Sequence, residues 1–144
     1  MRVKKIIYDQ KENNIIENDH KIINYIRDKK INKERELKIY TWGIKKNIPV
    51  DCEIIFDCSL YYSQCDKEDI RLYTGLDEKI QNSIINHSKF NSIIEMIITE
   101  IETNNYKKIS FVCNYGKYKS VGWAELLKKL YYNNSIIKHN NLKV

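Results

Sequence analysis

The chain is 144 residues long with a mass of 17.3 kDa; 42% of it is hydrophobic, 31% charged and 11% aromatic, with four Gly and one Pro. That is the make-up of one compact domain, and it excludes disordered and collagen-like classes. No apolar run approaches the ~18 residues of a membrane span, and the first residues carry no cleavable signal pattern, so a cytoplasmic protein with no membrane partner is expected.

Four cysteines, at positions 52, 58, 65 and 113, have neither the density of a disulfide scaffold nor the C-x-x-C spacing of a zinc site. They read as reduced thiols, and no metal or other cofactor is implied. The net charge of +6 is unevenly spread, with +6 over residues 1–46, −7 over 47–106 and +7 over 107–144. The last quarter is a concentrated positive region of the kind that attracts phosphate on nucleic acid, a nucleotide or a small metabolite. A solvated lysine-rich surface is the competing reading.

In chain order, an apolar run over 3–8 predicts a strand and Ile22, Ile23, Tyr25 and Ile26 a helix over 20–29. Strands follow over 37–42 and 53–58, then helices over 77–86 (Ile80, Ile84, Ile85) and 90–102 (Phe90, Ile93, Ile94, Ile97, Ile98, Ile101). A strand over 108–113, a helix over 119–132 (Val121, Trp123, Ala124, Leu127) and a strand over 135–138 close the chain. This alternation implies a three-layer α/β fold: a mixed, mostly parallel sheet with helices on both faces and ligands outside the carboxyl ends of the strands. Chemistry is therefore expected just after Trp42, Cys58 and Cys113. The polar stretch 29–35 is the best internal boundary, between a strand-helix extension over 1–33 and a domain over 34–144.

The most informative segment is 109–123, an apolar strand, a loop with one Gly and two Lys, and an amphipathic helix. The first N–H groups of a helix lack intrahelical partners and the helix dipole is positive there, so such a loop can wrap an anion. Cys113, Asn114, Tyr115, Gly116, Lys117, Tyr118, Lys119 and Ser120 are the candidate ligand-binding residues. Gly116 would turn the backbone inward, Ser120 would cap or donate, and Lys117 and Lys119 would supply charge. The cradle requires amides between Asn114 and Ser120 that the protein itself does not occupy. The spacing is not that of Walker A; it is C-x5-K-S, one substitution from the C-x5-R-S loop of cysteine-dependent phosphatases. Cys113 is thus a candidate nucleophile in the rival, enzymatic reading. Lys119 stands where such an enzyme needs arginine, and Asp57 or Asp77 would have to be the general acid, so catalysis is not expected. A plain turn with exposed lysines is the bland alternative.

Read with its neighbours, the loop resembles the C-terminal domain of the RNase adapter protein RapZ family. The family's G-C-T-G-G-x-H-R-S-V is similar to Val112-Cys113-Asn114-Tyr115-Gly116-Lys117-Tyr118-Lys119-Ser120-Val121. Its S-F-G-F-K-x-G-I-P-x-D-A-D-x-V-F-D-V-R looks like residues 41–59, from Thr41-Trp42-Gly43 to Asp57-Cys58-Ser59. Its L-R-x-x-T-G-L-D matches Ile70-Arg71-Leu72-Tyr73-Thr74-Gly75-Leu76-Asp77, and its closing H-R-x-L matches His139-Asn140-Asn141-Leu142. The resemblance covers roughly residues 34–144, and no counterpart of the family's N-terminal P-loop NTPase-like domain is expected in residues 1–33, which contain no Gly.

The resemblance implies a non-catalytic domain that senses an amino-sugar phosphate, glucosamine 6-phosphate, binds small regulatory RNA and assembles into homo-oligomers. It adds Arg71, Thr74, Gly75, Asp77 and His139 to the candidate ligand-binding residues. Lys45, Lys46, Lys138 and Lys143 become candidates for RNA contact. The expected function is a phosphorylated-metabolite (sugar phosphate or nucleotide) binding domain with an RNA-binding adaptor role. A protein-interaction module with a vestigial loop is a further alternative. Several family residues are replaced: the D-V-R arginine by Ser59, R-S by Lys119-Ser120, the loop histidine by Tyr118 and H-R by His139-Asn140. Lysine keeps charge and loses the bidentate fork, so altered sugar selectivity is expected. Outside the site, Trp42 and Trp123 read as core, Cys52, Cys58 and Cys65 as structural thiols, and His20 and His87 as surface residues.

Overall fold

The computed structural model describes residues 3–7, 31–46, 50–61 and 72–142. Five strands, β1 (Val3–Ile6), β2 (Lys38–Gly43), β3 (Ile54–Asp57), β4 (Lys108–Cys113) and β5 (Ile136–His139), form one sheet in the order β1-β3-β4-β2-β5. A 3-10 turn (Ile44–Lys46) follows β2, and three helices are described: α1 (Glu78–Ile85), α2 (Phe90–Asn104) and α3 (Lys119–Leu130). The α/β class and all five strands agree with the sequence reading. The helix expected over 20–29 lies outside the described residues.

Every described strand pairing is parallel, in keeping with the mostly parallel sheet expected. One detail differs: the described helices share one face rather than two, and strand order explains it. The connections β3 to β4 and β4 to β5 step in the same direction along the sheet, and right-handed crossovers then put α1, α2 and α3 on the same side. The β2 to β3 connection steps backwards and crosses the other face, and its described part holds the 3-10 turn and residues 50–53.

Period-two alternation sorts the strand residues accordingly. Ile39, Ile54, Phe56, Ile109, Phe111 and Cys113 join the helices in the main core, with Phe56 and Phe111 stacked at 5.4 Å. Trp42, Ile55 and Val112 form a smaller cluster on the opposite face with Cys52 and Val50. α2 contributes Ile93, Ile94, Ile97, Ile98 and Ile101 to the main core and ends on Asn105 in the left-handed conformation, whose N–H donates to Ile101 O. Trp123 of α3 is fully buried, stacked on Phe90 at 5.3 Å and edge-on to Tyr61 at 5.1 Å. His87, expected at the surface, instead packs on the Tyr61 ring at 4.5 Å. Burial first, and the Lys89 charge second, hold its imidazole below the ordinary range.

Glu102, near the end of α2, ties the segment before β2 to the core. Its carboxylate accepts from Arg35 Nε at 2.8 Å, from the Asn32 N–H at 3.1 Å and from the Tyr132 hydroxyl at 2.8 Å. Burial alone would raise its pKa, but these donors and the Arg35 charge outweigh it and hold the carboxyl below the usual carboxylate range. A carboxyl depressed in the folded state stabilises fully above its unfolded pKa and loses that stabilisation as pH falls through the folded one. Glu102→Gln is therefore expected to cost about 2 kcal/mol at neutral pH. In urea denaturation at a series of pH values, its deficit against the parent chain should shrink in acid; a pH-independent deficit would refute the assignment.

Candidate functional site

β4 is flanked by β3 and β2, and its carboxyl end runs through residues 114–118 into α3. Cys113 and Ser120 face each other across the base of this loop, with Sγ and Oγ 3.1 Å apart and both residues buried. Gly116 makes the turn at φ +72°, in the left-handed region that a side chain disfavours.

The peptide groups of the loop divide by polarity. Three carbonyls are held by neighbouring elements: Asn114 O accepts from the Lys45 N–H at 3.0 Å, Lys117 O from the Gly75 N–H at 2.8 Å, and Tyr118 O from the Gly122 N–H at 2.9 Å. Among the described residues, the N–H groups of Asn114, Tyr115, Gly116, Lys117, Tyr118 and Ser120 have no acceptor. Successive main-chain donors freed at a helix N-terminus, next to Lys117 and Lys119, make a concavity suited to an anion.

Neighbouring turns fix the loop from several sides. The backbone of Tyr115 passes so close to Gly43 that a Cβ there would lie 2.5 Å from the Tyr115 carbonyl carbon. The Gly43 N–H donates to Asn141 Oδ1 at 2.8 Å, and the same oxygen sits 2.7 Å from where a Gly116 Cβ would be. Lys45 places its ammonium 5.2 Å above the Tyr115 ring. Gly75 abuts Gly122 and Tyr118 at the start of α3, and the Gln81 side chain donates to its carbonyl at 2.9 Å. Thr74 and Asp77 serve their own turn: the Thr74 N–H donates to Asp77 Oδ2 at 2.6 Å, and the Leu76 N–H to Thr74 Oγ1 at 3.1 Å.

Asp57, at the end of β3, is buried, accepts from the Ser59 N–H at 2.9 Å and pairs with Lys4 at 3.2 Å. Lys119 reaches across to Ser59 O at 3.4 Å. His139 lies between Thr41 Oγ1 at 2.7 Å and Glu125 Oε2 at 3.3 Å, so both its ring nitrogens meet protein partners. Lys46 and Lys138 are exposed, one on the 3-10 turn and one on β5. Arg71 and Lys143, and the thiol of Cys65, lie outside the described residues. The structure thus gathers residues 113–120 with Gly75 and Lys45. It also brings in Gly43, Asn141 and Gln81, which the sequence reading did not single out. An open cavity of about 660 Å³ between α1 and α3, lined by Leu76, Gln81, Glu125 and Lys128 among others, shares no lining residue with the loop.

A family model for the RapZ C-terminal domain matches residues 35–143. The chain belongs to the RapZ C-terminal domain family. It is 29% identical over 120 residues to the RNase adapter protein RapZ of Pectobacterium carotovorum, a match covering 75% of this chain and 42% of that protein. It is 26% identical over 124 residues to a nucleotide-binding protein of Thermosipho africanus, covering 78% of this chain and 44% of that protein. The chain thus spans less than half the length of these relatives. The RapZ C-terminal match contains β2 to β5 and the whole loop, and β1 precedes it. Among the described residues no helix is long and apolar enough to cross a membrane, and no group of three or more His, Cys, Asp or Glu could hold a metal ion.

Close backbone approach predicts a graded response to alanine. At Gly43 the added carbon meets main chain, whereas at Gly122 it meets the mobile end of Ile84 at 2.5 Å. Gly116→Ala should lose at least about 1–2 kcal/mol for its backbone conformation alone. Gly43→Ala should cost more than Gly122→Ala in chemical denaturation; the reverse order would contradict the loop packing.

Proposed function

We propose that this chain binds a phosphorylated small molecule, a sugar phosphate or a nucleotide, in the loop between β4 and α3, without transforming it. The observation that carries this reading is the divided polarity of the loop: the carbonyls of Asn114, Lys117 and Tyr118 are tied to the protein while the amides of 114–118 and Ser120, at the positive end of α3, are not. Charge-assisted bonds from such amides are about twice as strong as neutral ones, and several converging on one dianion favour phosphate over neutral ligands. Lys117 and Lys119 add full charges beside them. The names of relatives, RNase adapter protein and nucleotide-binding protein, support the same class of ligand. Glucosamine 6-phosphate, which the family resemblance implies, is the first compound to try.

The surroundings favour binding over turnover. Cys113 is almost fully buried and engaged with Ser120, Asp57 is occupied by Lys4 and the Ser59 N–H, and Asp77 by the Thr74 N–H. Lys119 offers a point charge in place of a planar two-pronged donor.

RNA is the second ligand class in this reading, as for an adaptor. Lys45 and Lys46 are exposed beside the loop through the Lys45 to Tyr115 contact, and Lys138 is exposed on the edge strand β5. Retention on an RNA column should fall steeply with added salt and drop in a Lys45→Ala, Lys46→Ala double variant. Indifference to both would remove RNA from the proposal.

A thermal-shift screen of sugar phosphates and nucleotides tests the metabolite reading. A ligand at a hundred times its Kd adds about 2.7 kcal/mol, a shift of several degrees. Lys119→Ala should abolish the shift and Lys119→Arg should retain it, while both remain folded without ligand. A flat screen at millimolar ligand would overturn the proposal. Hydrolysis of an aryl phosphate that vanishes in Cys113→Ser would establish the enzymatic alternative.

A further inference from the structure

Two thiols lie side by side at the carboxyl end of the sheet. The β3–β4 register pairs Asp57 with Val112. The ladder continues one residue further, because the Cys58 N–H donates to Val112 O at 2.8 Å, which sets Cys58 beside Cys113. Both side chains belong to the main core cluster, so they leave the sheet on the same face, with 0% and 5% exposure. Paired strands run about 4.8 Å apart, inside the ~4.4–6.8 Å range of Cα separations that a disulfide spans. The Cβ atoms of a disulfide need to approach to about 3.8 Å, so closure must draw the two strand ends together. Cys58 lies just past β3 and Cys113 is the last residue of β4, so that movement falls at the end of the ladder and in the turns beyond it. Cys52 is not a competing partner within the sheet: it packs in the Trp42 cluster on the opposite face, and its thiol donates to Ile54 O at 3.4 Å.

We propose that Cys58 and Cys113 form a reversible disulfide that closes the anion loop under oxidation by a peroxide. Cys113 reacts first, since it is the less buried thiol and stands at the N-terminal end of α3 with Lys119. Its sulfur attacks one peroxide oxygen, giving a sulfenic acid and releasing water once the leaving oxygen takes a proton. The Cys58 sulfur then displaces the sulfenic oxygen, which leaves as a second water, and the S–S bond forms. Two thiols have lost two electrons and two protons, and the peroxide has become two waters. Cys58 is the resolving thiol by position: its Sγ donates to Val112 O at 3.0 Å, next to Cys113, while burial, then the charges of Cys113 and Asp57, push its thiol up and make its attack the slower step.

The consequence for the site, which rests on the binding reading above, is mechanical. The new bond takes Cys113 Sγ away from Ser120 Oγ, and Ser120 lies in the first turn of the helix at whose N-terminus the cradle is proposed. The strand ends move together, and the loop that starts at Asn114 moves with them.

The test uses the full chain, reduced, exposed to hydrogen peroxide, alkylated and mapped by mass spectrometry. The expected product is a Cys58–Cys113 cross-linked peptide pair, absent in Cys58→Ala and in Cys113→Ser and reversed by a thiol reductant. Titration with inorganic phosphate should show about tenfold weaker binding in the oxidised chain. Linkage through Cys65 or Cys52, or oxidation without a cross-link, overturns the proposed bond. A Cys58–Cys113 cross-link with unchanged phosphate affinity overturns the closure. If the reduced chain does not bind phosphate, the binding reading fails and the closure with it, while the peptide map still decides the bond.

Discussion

The same few peptide groups face two ways at the end of β4. In the Asn114–Tyr115 and Lys117–Tyr118 peptides the oxygen is occupied by an N–H of the 3-10 turn or the 74–77 turn, and the N–H at the opposite pole is left without an acceptor among the described residues. An isolated βα turn would be free to rotate its peptides and present either pole. Here rotation would break bonds to several elements at once, so the donors are held in place before any ligand arrives. Preorganisation of this kind reduces the ordering cost of binding, and it also explains why side chains at three glycine positions are excluded. Gly43 and Gly75 permit the contact, and Gly116 supplies the turn.

Strand order makes this possible. β4 sits between β3 and β2, so its carboxyl end is surrounded by the ends of both neighbours, and Asn141, just past β5, reaches it as well. Each neighbour contributes a different element: Ser59 accepts from Lys119, Gly43 and Lys45 abut the loop, and Asn141 Oδ1 lies against Gly116. A parallel sheet aligns all these ends on one edge, which an antiparallel arrangement of the same strands would scatter between two.

The sheet was legible from residue pattern because each strand is a short apolar run with polar flanks, with Ile39, Ile54, Ile109 and Phe111 facing the main core and Trp42, Ile55 and Val112 facing the other way, as period two requires. Parallel pairing followed from the strand-helix alternation, but strand order and helix side did not, since both depend on which strand lies next to which, and local pattern does not encode neighbours. In the site, residues 113–120 stood out because strand, glycine, lysines and helix follow one another in the chain. Asn141 did not, because asparagine is abundant here and its partner Gly43 is 98 residues away. His139 was placed at the right strand end, but its engagement with Thr41 and Glu125 again joins distant positions. Thr74 and Asp77 show a local use of residues the sequence reading assigned to a ligand loop. Their type and spacing suit a ligand loop, yet short polar side chains compete for nearby backbone donors, and here the local bonds to Thr74 N and Leu76 N take them.

Lysine at position 119 changes how the cradle discriminates. An arginine there would impose a planar fork, rewarding ligands whose oxygens match two parallel donors. Lys119 has a rotatable ammonium already directed toward Ser59 O at 3.4 Å, a long contact that a phosphate oxygen can share without displacing it. Its contribution is therefore charge, with little geometric demand. The shape requirement then falls on the fixed amides and on the rim, where Tyr115 is held beneath Lys45. On the same proposal, an aromatic face and an exposed cation at the rim would accept a range of groups attached to the phosphate. On the binding proposal, selectivity for phosphate would rest on the backbone amides, and selectivity for the group it carries would be loose.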